Sequence, residues 1–252
     1  MGWLEAPAKA VLSFFTDPYA ALFCALGVSF MLLSSVLNIR TLKKRRAPDD
    51  FTPVMMYFGS FFLLLFILPL AIILLTGRSA GIFPWSVGLQ LGNWKLGLIL
   101  AAVILPISLA GVFVGTRDPA IREYYPFSKQ AMATPGRFVL YESAYLVFYY
   151  LSWEFTFRGV LLFCMLALLP HTIQGIVVAI MVQTFLSIVY HIGHPSSEVV
   201  GAFLSGILAG IVTAATGSFL YALFHHALVG ILNDYLMYRG LSRRRRLGRE
   251  TA

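Results

Sequence analysis

The sequence predicts an all-α protein, a polytopic bundle of transmembrane helices. Of its 252 residues, 59% are hydrophobic and only 12% are charged, and a mean hydropathy of +0.80 is far above that of ordinary soluble domains. Runs of about eighteen or more apolar residues recur, which is the length of a membrane-crossing helix. The net charge of +8 comes from short basic clusters between these runs, so it indicates topology and not a nucleic-acid partner.

The apolar runs divide into seven predicted spans, because about twenty residues make one helical crossing. The fourth run is too long for one straight crossing, which predicts a tilted helix or a first turn lying along the interface. The links at Pro170-His171 and Thr216-Gly217 are short, so six spans, or eight with an interfacial helix, are alternatives. The predicted spans are 19–38, 54–76, 94–115, 138–169, 172–192, 199–216 and 218–238.

The basic clusters predict the orientation of the bundle. One cluster, Arg40 to Arg46, follows the first span, and another, Arg243 to Arg249, follows the last. Cytoplasmic loops carry an excess of Lys and Arg, so we expect both clusters, and with them the C-terminus, in the cytoplasm. Seven spans satisfy this expectation because an even number of crossings then separates the clusters. The first residues carry no basic segment before the first apolar run, so we expect no cleaved signal peptide.

Ionisable residues divide the chain into two parts. The interiors of the first three spans contain none, whereas the later spans carry several. A charge inside a bilayer costs on the order of 3 kcal/mol, so such residues indicate a functional site. We therefore predict a scaffold of spans 1–3 (1–116), a site-bearing helical core of spans 4–7 (117–238) and a basic cytoplasmic tail (239–252).

The fourth and fifth spans supply the first candidates. Glu154 and Arg158 are four residues apart, so they share one face of a helix. They form either an ion pair that neutralises itself or a general base with its supporting cation, and the spacing alone favours neither. His191 and His194 have a spacing that could hold a metal on one helical face, but Pro195 argues against a continuing helix there.

The last span carries two adjacent histidines, His225 and His226. They point about 100° apart on a helix, so only one can face a given site. Asn233 lies almost on the stripe of His226, whereas Asp234 is rotated away. Such residues often join helices by hydrogen bonds, but three spans that each supply one favour a shared site. A carboxylate that deprotonates water and imidazoles that orient it or stabilise an oxyanion suit hydrolysis.

These residues resemble the motifs of the CPBP family, intramembrane peptidases that include CAAX endoproteases and bacterial bacteriocin-processing proteins. The first family motif has two adjacent glutamates and an arginine four residues after the second. In the stretch 150–159, Glu154 and Arg158 match the second glutamate and the arginine, and Trp153 stands in place of the first glutamate.

The second and third family motifs are also present in part. His191 matches the histidine of the second motif, although Ser187 stands where the family has Phe, and the residues up to Glu198 are similar to the His-x-Gly-x-Pro-x-x-Glu extension of bacterial members. His226 matches the histidine of the third motif, in which Asn or Asp follows four residues later. Gly230 occupies that position here.

The resemblance implies a peptidase of the bacterial plasma membrane that acts on a membrane-anchored or lipid-modified protein, with the bilayer as its other partner. Its 117–238 core would then be catalytic: Glu154 would activate water, two histidines would orient it or polarise the carbonyl, and an arginine would support Glu154. We favour a metal-free reaction, with a divalent zinc ion as the alternative. We expect Asn233 to supply part of the donor role left open at Gly230. The predicted catalytic residues are Glu154, His191, His226 and Arg158, and the supporting residues are Glu198, Asn233 and His194.

Two other functions remain as alternatives. The departures at Trp153 and Gly230 suit a non-catalytic scaffold or self-immunity protein with the same fold. A small transporter would use the buried charges as an ion site, but the sequence lacks the paired Gly- or Pro-broken half-helices typical of transporter repeats.

Overall fold

The computed structural model describes residues 17–45 and 49–250, with the backbone alone for residue 45 and for 241–250. The N-terminal residues 1–16, on which the signal-peptide expectation rests, and Arg46 of the first basic cluster lie outside this part. Within it the chain forms helices and turns without a strand, which confirms the all-α prediction. The helices are α1 (Pro18–Ser34), α2 (Ile39–Arg45), α3 (Phe51–Ala80), α4 (Trp94–Gly115), α5 (Pro119–Tyr124), α6 (Pro135–Leu168), α7 (Ile173–Val189), α8 (Ser196–Thr216) and α9 (Leu220–Glu250).

All seven predicted spans fall on helices. Five helical stretches of the described chain are long and apolar enough to cross a membrane: Pro18–Lys44, α3, α4, α6 and α8. The predicted fifth span is the 17-residue α7, which rises about 26 Å. The seventh lies in α9, which continues to Glu250 through the basic tail, because Arg and Leu favour helix.

Successive helices run alternately between the two ends of the bundle. At one end, the Lys43 ammonium after α1 donates to the carbonyl of Phe127, which precedes α6. The Arg40 guanidinium donates to the carbonyl of Gly193 between α7 and α8, at 3.4 Å. Tyr238 of α9 stacks on Phe138 at the start of α6, with centroids 4.6 Å apart. Both basic clusters therefore lie at or lead away from this end, which we call the basic end.

The opposite end is closed by a contact between two links. The amide of Asn93, before α4, donates to the carbonyl of Thr216 at the end of α8, at 2.7 Å. Gly92 makes this approach possible: its φ is +55°, and a Cβ there would lie 2.1 Å from the Thr216 carbonyl oxygen. Any other residue would be strained and would push the two links apart.

Two of the long helices show opposite patterns of exposure, apolar side chains facing outward on α4 and charged side chains facing inward on α6. On α4, Leu98, Ile99 and Val103 are more than half exposed, as expected for a helix against lipid. On α6, by contrast, Glu154 and Arg158 are buried. This reversal of the usual soluble pattern, together with the apolar helices, identifies an integral membrane protein.

The core that holds α6 is aromatic. Phe58 of α3 stacks on Tyr145 with centroids 4.9 Å apart, and Phe61 stacks on Tyr149 at 4.4 Å and on Trp153 at 6.1 Å. Each such pair adds about 0.5–1.5 kcal/mol beyond the area that it buries. The face of α6 that carries these rings is therefore fixed against the N-terminal helices, which leaves its other face to the candidate site.

Candidate functional site

Helix α6 widens into π-helical turns on both sides of Glu154. These turns, Tyr145–Tyr150 and Phe155–Leu161, flank the single α-helical turn Leu151–Glu154. A π-turn redirects the following side chains and leaves backbone groups to be satisfied, and such turns are frequent at functional sites. In the second π-turn, the Thr156 hydroxyl donates to the carbonyl of Leu65 in α3 at 2.7 Å, which anchors α6 beside Glu154.

Glu154 and Arg158 are in contact, as their four-residue spacing predicts. The Arg158 Nε lies 3.3 Å from Glu154 Oε2, and the two side chains are only 5% and 1% exposed. A buried carboxylate needs a partner charge and hydrogen bonds. The guanidinium supplies the charge, so Glu154 can remain ionised inside the bundle.

His226 provides the second partner of this carboxylate. Its Nδ1 lies 2.6 Å from Glu154 Oε1, and its side chain is 34% exposed. The neighbouring His225 points away, with its Nδ1 2.8 Å from the Ser108 hydroxyl of α4. The structure therefore brings together three of the four predicted catalytic residues and separates the two histidines as the sequence predicts.

His191 lies on the other side of the Trp153 ring. The indole meets His191 edge-on at 5.0 Å and His226 edge-on at 6.3 Å. The His191 Nδ1 donates to the carbonyl of Ser187 at 2.8 Å, so its Nε2 is the free ring nitrogen. That nitrogen lies 3.9 Å from Glu198 Oε1. His191 thus borders the site, but it bonds to Ser187 and its free nitrogen faces Glu198.

His194 and Glu198 form a network at the basic end. Helix α7 ends at Val189, so the two histidines lie in the turn before α8. The His194 Nδ1 lies 2.9 Å from Glu198 Oε1, and the Tyr125 hydroxyl donates to the same oxygen at 2.6 Å. Burial, with Glu198 beside it, raises the pKa of Tyr125 well above its usual value, so this hydroxyl stays a donor.

The turn before α8 and the first turn of α8 together contain a set of atoms that could hold a divalent cation. One ligand atom each of His191, His194 and Glu198 lies within 4.8 Å of the others, and imidazole and carboxylate ligands suit zinc. Glu154 and Arg158 are not part of this set. The cation-binding potential is therefore separate from the buried carboxylate.

Asn233 and Asp234 take different directions. A Cβ at Gly115 of α4 would lie 2.9 Å from the Asn233 Oδ1, so this amide faces α4, as His225 does. Asp234, the next residue, is buried in the bundle. The donor role predicted for Asn233 stays a prediction, and its side chain lies against a different helix from Glu154.

Sequence reasoning missed Tyr150. This buried side chain begins the motif, four residues before Glu154, and its ring meets the His226 ring at 4.7 Å and 60°. Its hydroxyl lies against Gly230: a Cβ at that glycine would be 1.6 Å from the oxygen. The sequence does show that a tyrosine precedes Glu154 by one helical turn and that a glycine follows His226 by one turn, and this pair of positions could have indicated the contact.

A cleft of about 450 Å³ opens near the basic end. It lies between α1 and α7 and is lined by aromatic rings with Arg40 and His194 among them. One wall residue, Tyr190, packs against Trp153 at 5.7 Å. The cleft therefore reaches the aromatic residues that surround the candidate site.

Comparison with known proteins gives one match. Residues 136–232 match the family model described as type II CAAX prenyl endopeptidase Rce1-like. The match spans nearly all of α6, the helices α7 and α8 and the first part of α9, and it includes every predicted catalytic residue. No match was found among curated proteins or solved structures.

Proposed function

We propose that the chain, whose residues 136–232 match the model of the type II CAAX prenyl endopeptidase Rce1-like family, is a CAAX-type intramembrane protease that hydrolyses a peptide bond in a membrane-anchored or lipid-modified protein. The observation that carries the proposal is the buried Glu154 carboxylate, in contact with Arg158 on one oxygen and with His226 on the other. We place the protein in a bacterial plasma membrane with its basic end and C-terminus in the cytoplasm, since basic residues favour that side.

Glu154 and His226 act as a unit in this proposal. A carboxylate only accepts, so the proton of the 2.6 Å bond belongs to His226 Nδ1, and His226 Nε2 carries the lone pair. Glu154 is only 1% exposed, whereas a third of His226 is exposed. Water reaches the imidazole more readily than the carboxylate. His226 therefore takes the proton of the attacking water while Glu154 fixes its tautomer and balances its positive charge.

This differs from the sequence prediction in the role of Glu154. In the prediction from the sequence, Glu154 activates water directly and the histidines orient that water. We favour activation through His226, because Glu154 is only 1% exposed and its two oxygens face the Arg158 guanidinium and the His226 imidazole. Arg158 holds the carboxylate, and His191 helps to position water or substrate from the far side of Trp153.

Replacing Glu154 with Gln tests the proposal. We expect cleavage to fall by about 10²–10⁴-fold, as for loss of a general base. The matched control is Glu142→Gln, which changes another buried glutamate of α6 and should leave cleavage near the native level. Comparative proteomics of cells with each variant would show a precursor protein accumulating with Glu154→Gln alone. Full processing by Glu154→Gln at normal abundance would refute the catalytic role.

A non-catalytic scaffold or self-immunity protein is the second candidate. A carboxylate balanced by Arg158 and His226 is also what a structural ion pair would look like inside a membrane. The same experiment separates the two functions, since a scaffold keeps its cellular effect when Glu154→Gln folds and inserts normally.

A further inference from the structure

Peptide hydrolysis needs a hydrogen-bond donor where the carbonyl oxygen becomes negative. On the His226 side of the site, Glu154 and the Nε2 lone pair of His226 are acceptors. The Arg158 guanidinium, whose Nε and Nη1 have no hydrogen-bond partner among the described residues, lies at the other carboxylate oxygen, Glu154 Oε2, so a donor on the His226 side comes from another residue. This inference rests on the proposed function and concerns the group that completes its site.

Tyr150 carries a hydroxyl donor on a ring that lies beside His226. Its ring is buried, stacks on Tyr145 at 4.2 Å and meets His226 edge-on at 4.7 Å. Tyr150 and Glu154 are one turn apart on α6. The phenol keeps its proton at neutral pH, so it can donate to an anion without carrying a charge.

Gly230 is the counterpart of this hydroxyl. His226 and Gly230 are one turn apart on α9, so they share a face of that helix. A Cβ at position 230 would lie 1.6 Å from the Tyr150 oxygen and 2.6 Å from the ring carbon that bears it. Only glycine admits the hydroxyl, which therefore occupies the space where a side chain at 230 would begin.

We propose that Tyr150 donates the hydrogen bond that stabilises the oxyanion, with Gly230 as the gap that admits its hydroxyl. The water oxygen bonds to the carbonyl carbon, the water proton passes to His226 Nε2, and the carbonyl electron pair moves onto the oxygen that Tyr150 binds. Collapse then breaks the C–N bond, and the amine leaves with the proton from His226. Tyr150 thus replaces the side-chain donor that Gly230 lacks.

Tyr150→Phe removes the hydroxyl and keeps the ring. We expect kcat to fall by about 10²–10³-fold, as for loss of an oxyanion donor, with KM and the melting temperature little changed. Tyr149→Phe is the matched control: it removes the adjacent hydroxyl, but its ring faces Phe61. Native kcat in Tyr150→Phe, with Glu154→Gln inactive, would overturn this inference and leave the proposed function intact. Native activity in both variants would overturn both.

A rescue variant separates a donor from a structural hydroxyl. Tyr150→Leu clears the space over position 230, and adding Gly230→Asn places an amide donor there. We expect Tyr150→Leu to be inactive and the double variant to recover at least about tenfold in kcat, a fraction of what one donor contributes. If Tyr150→Leu and Tyr150→Leu/Gly230→Asn have equal kcat at equal melting temperature, an amide at position 230 does not replace the Tyr150 hydroxyl as donor, and the inference is refuted.

Asn233→Ala distinguishes the other donor that the sequence offers. Its amide faces Gly115 of α4. Loss of kcat in Asn233→Ala together with native kcat in Tyr150→Phe would assign the role to Asn233.

Discussion

Removing Arg158 should destabilise the protein more than removing both charges of its pair. In Arg158→Met, the flexible methionine fills most of the space of the arginine stem, but Glu154 loses the cation 3.3 Å from its Oε2. Breaking a buried pair by removing one partner costs about 3–5 kcal/mol. The remaining bond to His226 places the cost near 3 kcal/mol, the lower end of that range.

That free energy predicts a measurable shift in melting temperature. For a chain of this size, 1 kcal/mol shifts the midpoint by about 2–4 °C, so Arg158→Met should melt about 6–12 °C below the native protein. The double variant Glu154→Gln/Arg158→Met contains neither charge. Since well-packed neutral side chains often equal a buried ion pair in stability, we expect it to recover most of the loss while remaining inactive.

Thermal unfolding of the purified protein in detergent, paired with a cleavage assay, measures both quantities. Arg158→Lys is the intermediate case, because it retains the charge but loses the planar guanidinium, and its midpoint should lie between those of the native protein and Arg158→Met. A midpoint of Arg158→Met that equals the native one, or a double variant less stable than the single one, would show that Arg158 does not compensate Glu154.

Two further predictions concern the other predicted site residues. His226→Asn should lower cleavage by about 10²–10⁴-fold, whereas His225→Asn, on the face bonded to Ser108, should retain it; equal losses would contradict the assignment of His226. Glu198→Gln should cost about 1.5–3 kcal/mol of stability, because the Tyr125 hydroxyl loses a charged acceptor. Its cleavage should remain measurable, and complete loss in a folded variant would give Glu198 a catalytic role.

The sequence predicts most of the fold because a bilayer leaves few choices. The length of each apolar run shows which residues cross the bilayer. Inside lipid the backbone has to satisfy its own hydrogen bonds, which favours a helix, so each predicted span lies on an observed helix. The spacing rule also places Arg158 beside Glu154 and turns His225 away from His226. These predictions depend on one helix at a time, where periodicity is sufficient.

The remaining features depend on packing between distant segments. The contact of Tyr150 with Gly230 joins α6 to α9, and that of Tyr125 with Glu198 joins residues 73 positions apart. The side chain of Asn233 faces α4 because of the way α9 is rotated about its own axis in the bundle. Helical periodicity shows which residues of α9 share a face, but it does not show which neighbouring helix that face contacts. The π-turns of α6 likewise change which side chains share a face, and periodicity assumes a regular helix.

Trp153 shows how one such departure organises the site. It stands where the family motif that the sequence resembles has its first glutamate. Its buried ring stacks on Phe61 and Tyr149 and lies edge-on to His191 and His226. A second carboxylate in this aromatic packing would lose its hydration without a matched cation, at a cost of several kcal/mol. The indole avoids that cost and leaves one carboxylate, which one guanidinium and one imidazole balance.

The same ring explains why the two predicted histidines are not equivalent. It holds His191 away from Glu154, so His191 bonds to Ser187 and faces Glu198, while His226 contacts the carboxylate directly. A single carboxylate cannot both orient the base and bind the oxyanion, because both tasks would require opposite hydrogen-bond polarity. In the proposed mechanism proton transfer therefore belongs to the Glu154–His226 pair, and the oxyanion needs a separate donor, the role proposed for the hydroxyl of Tyr150.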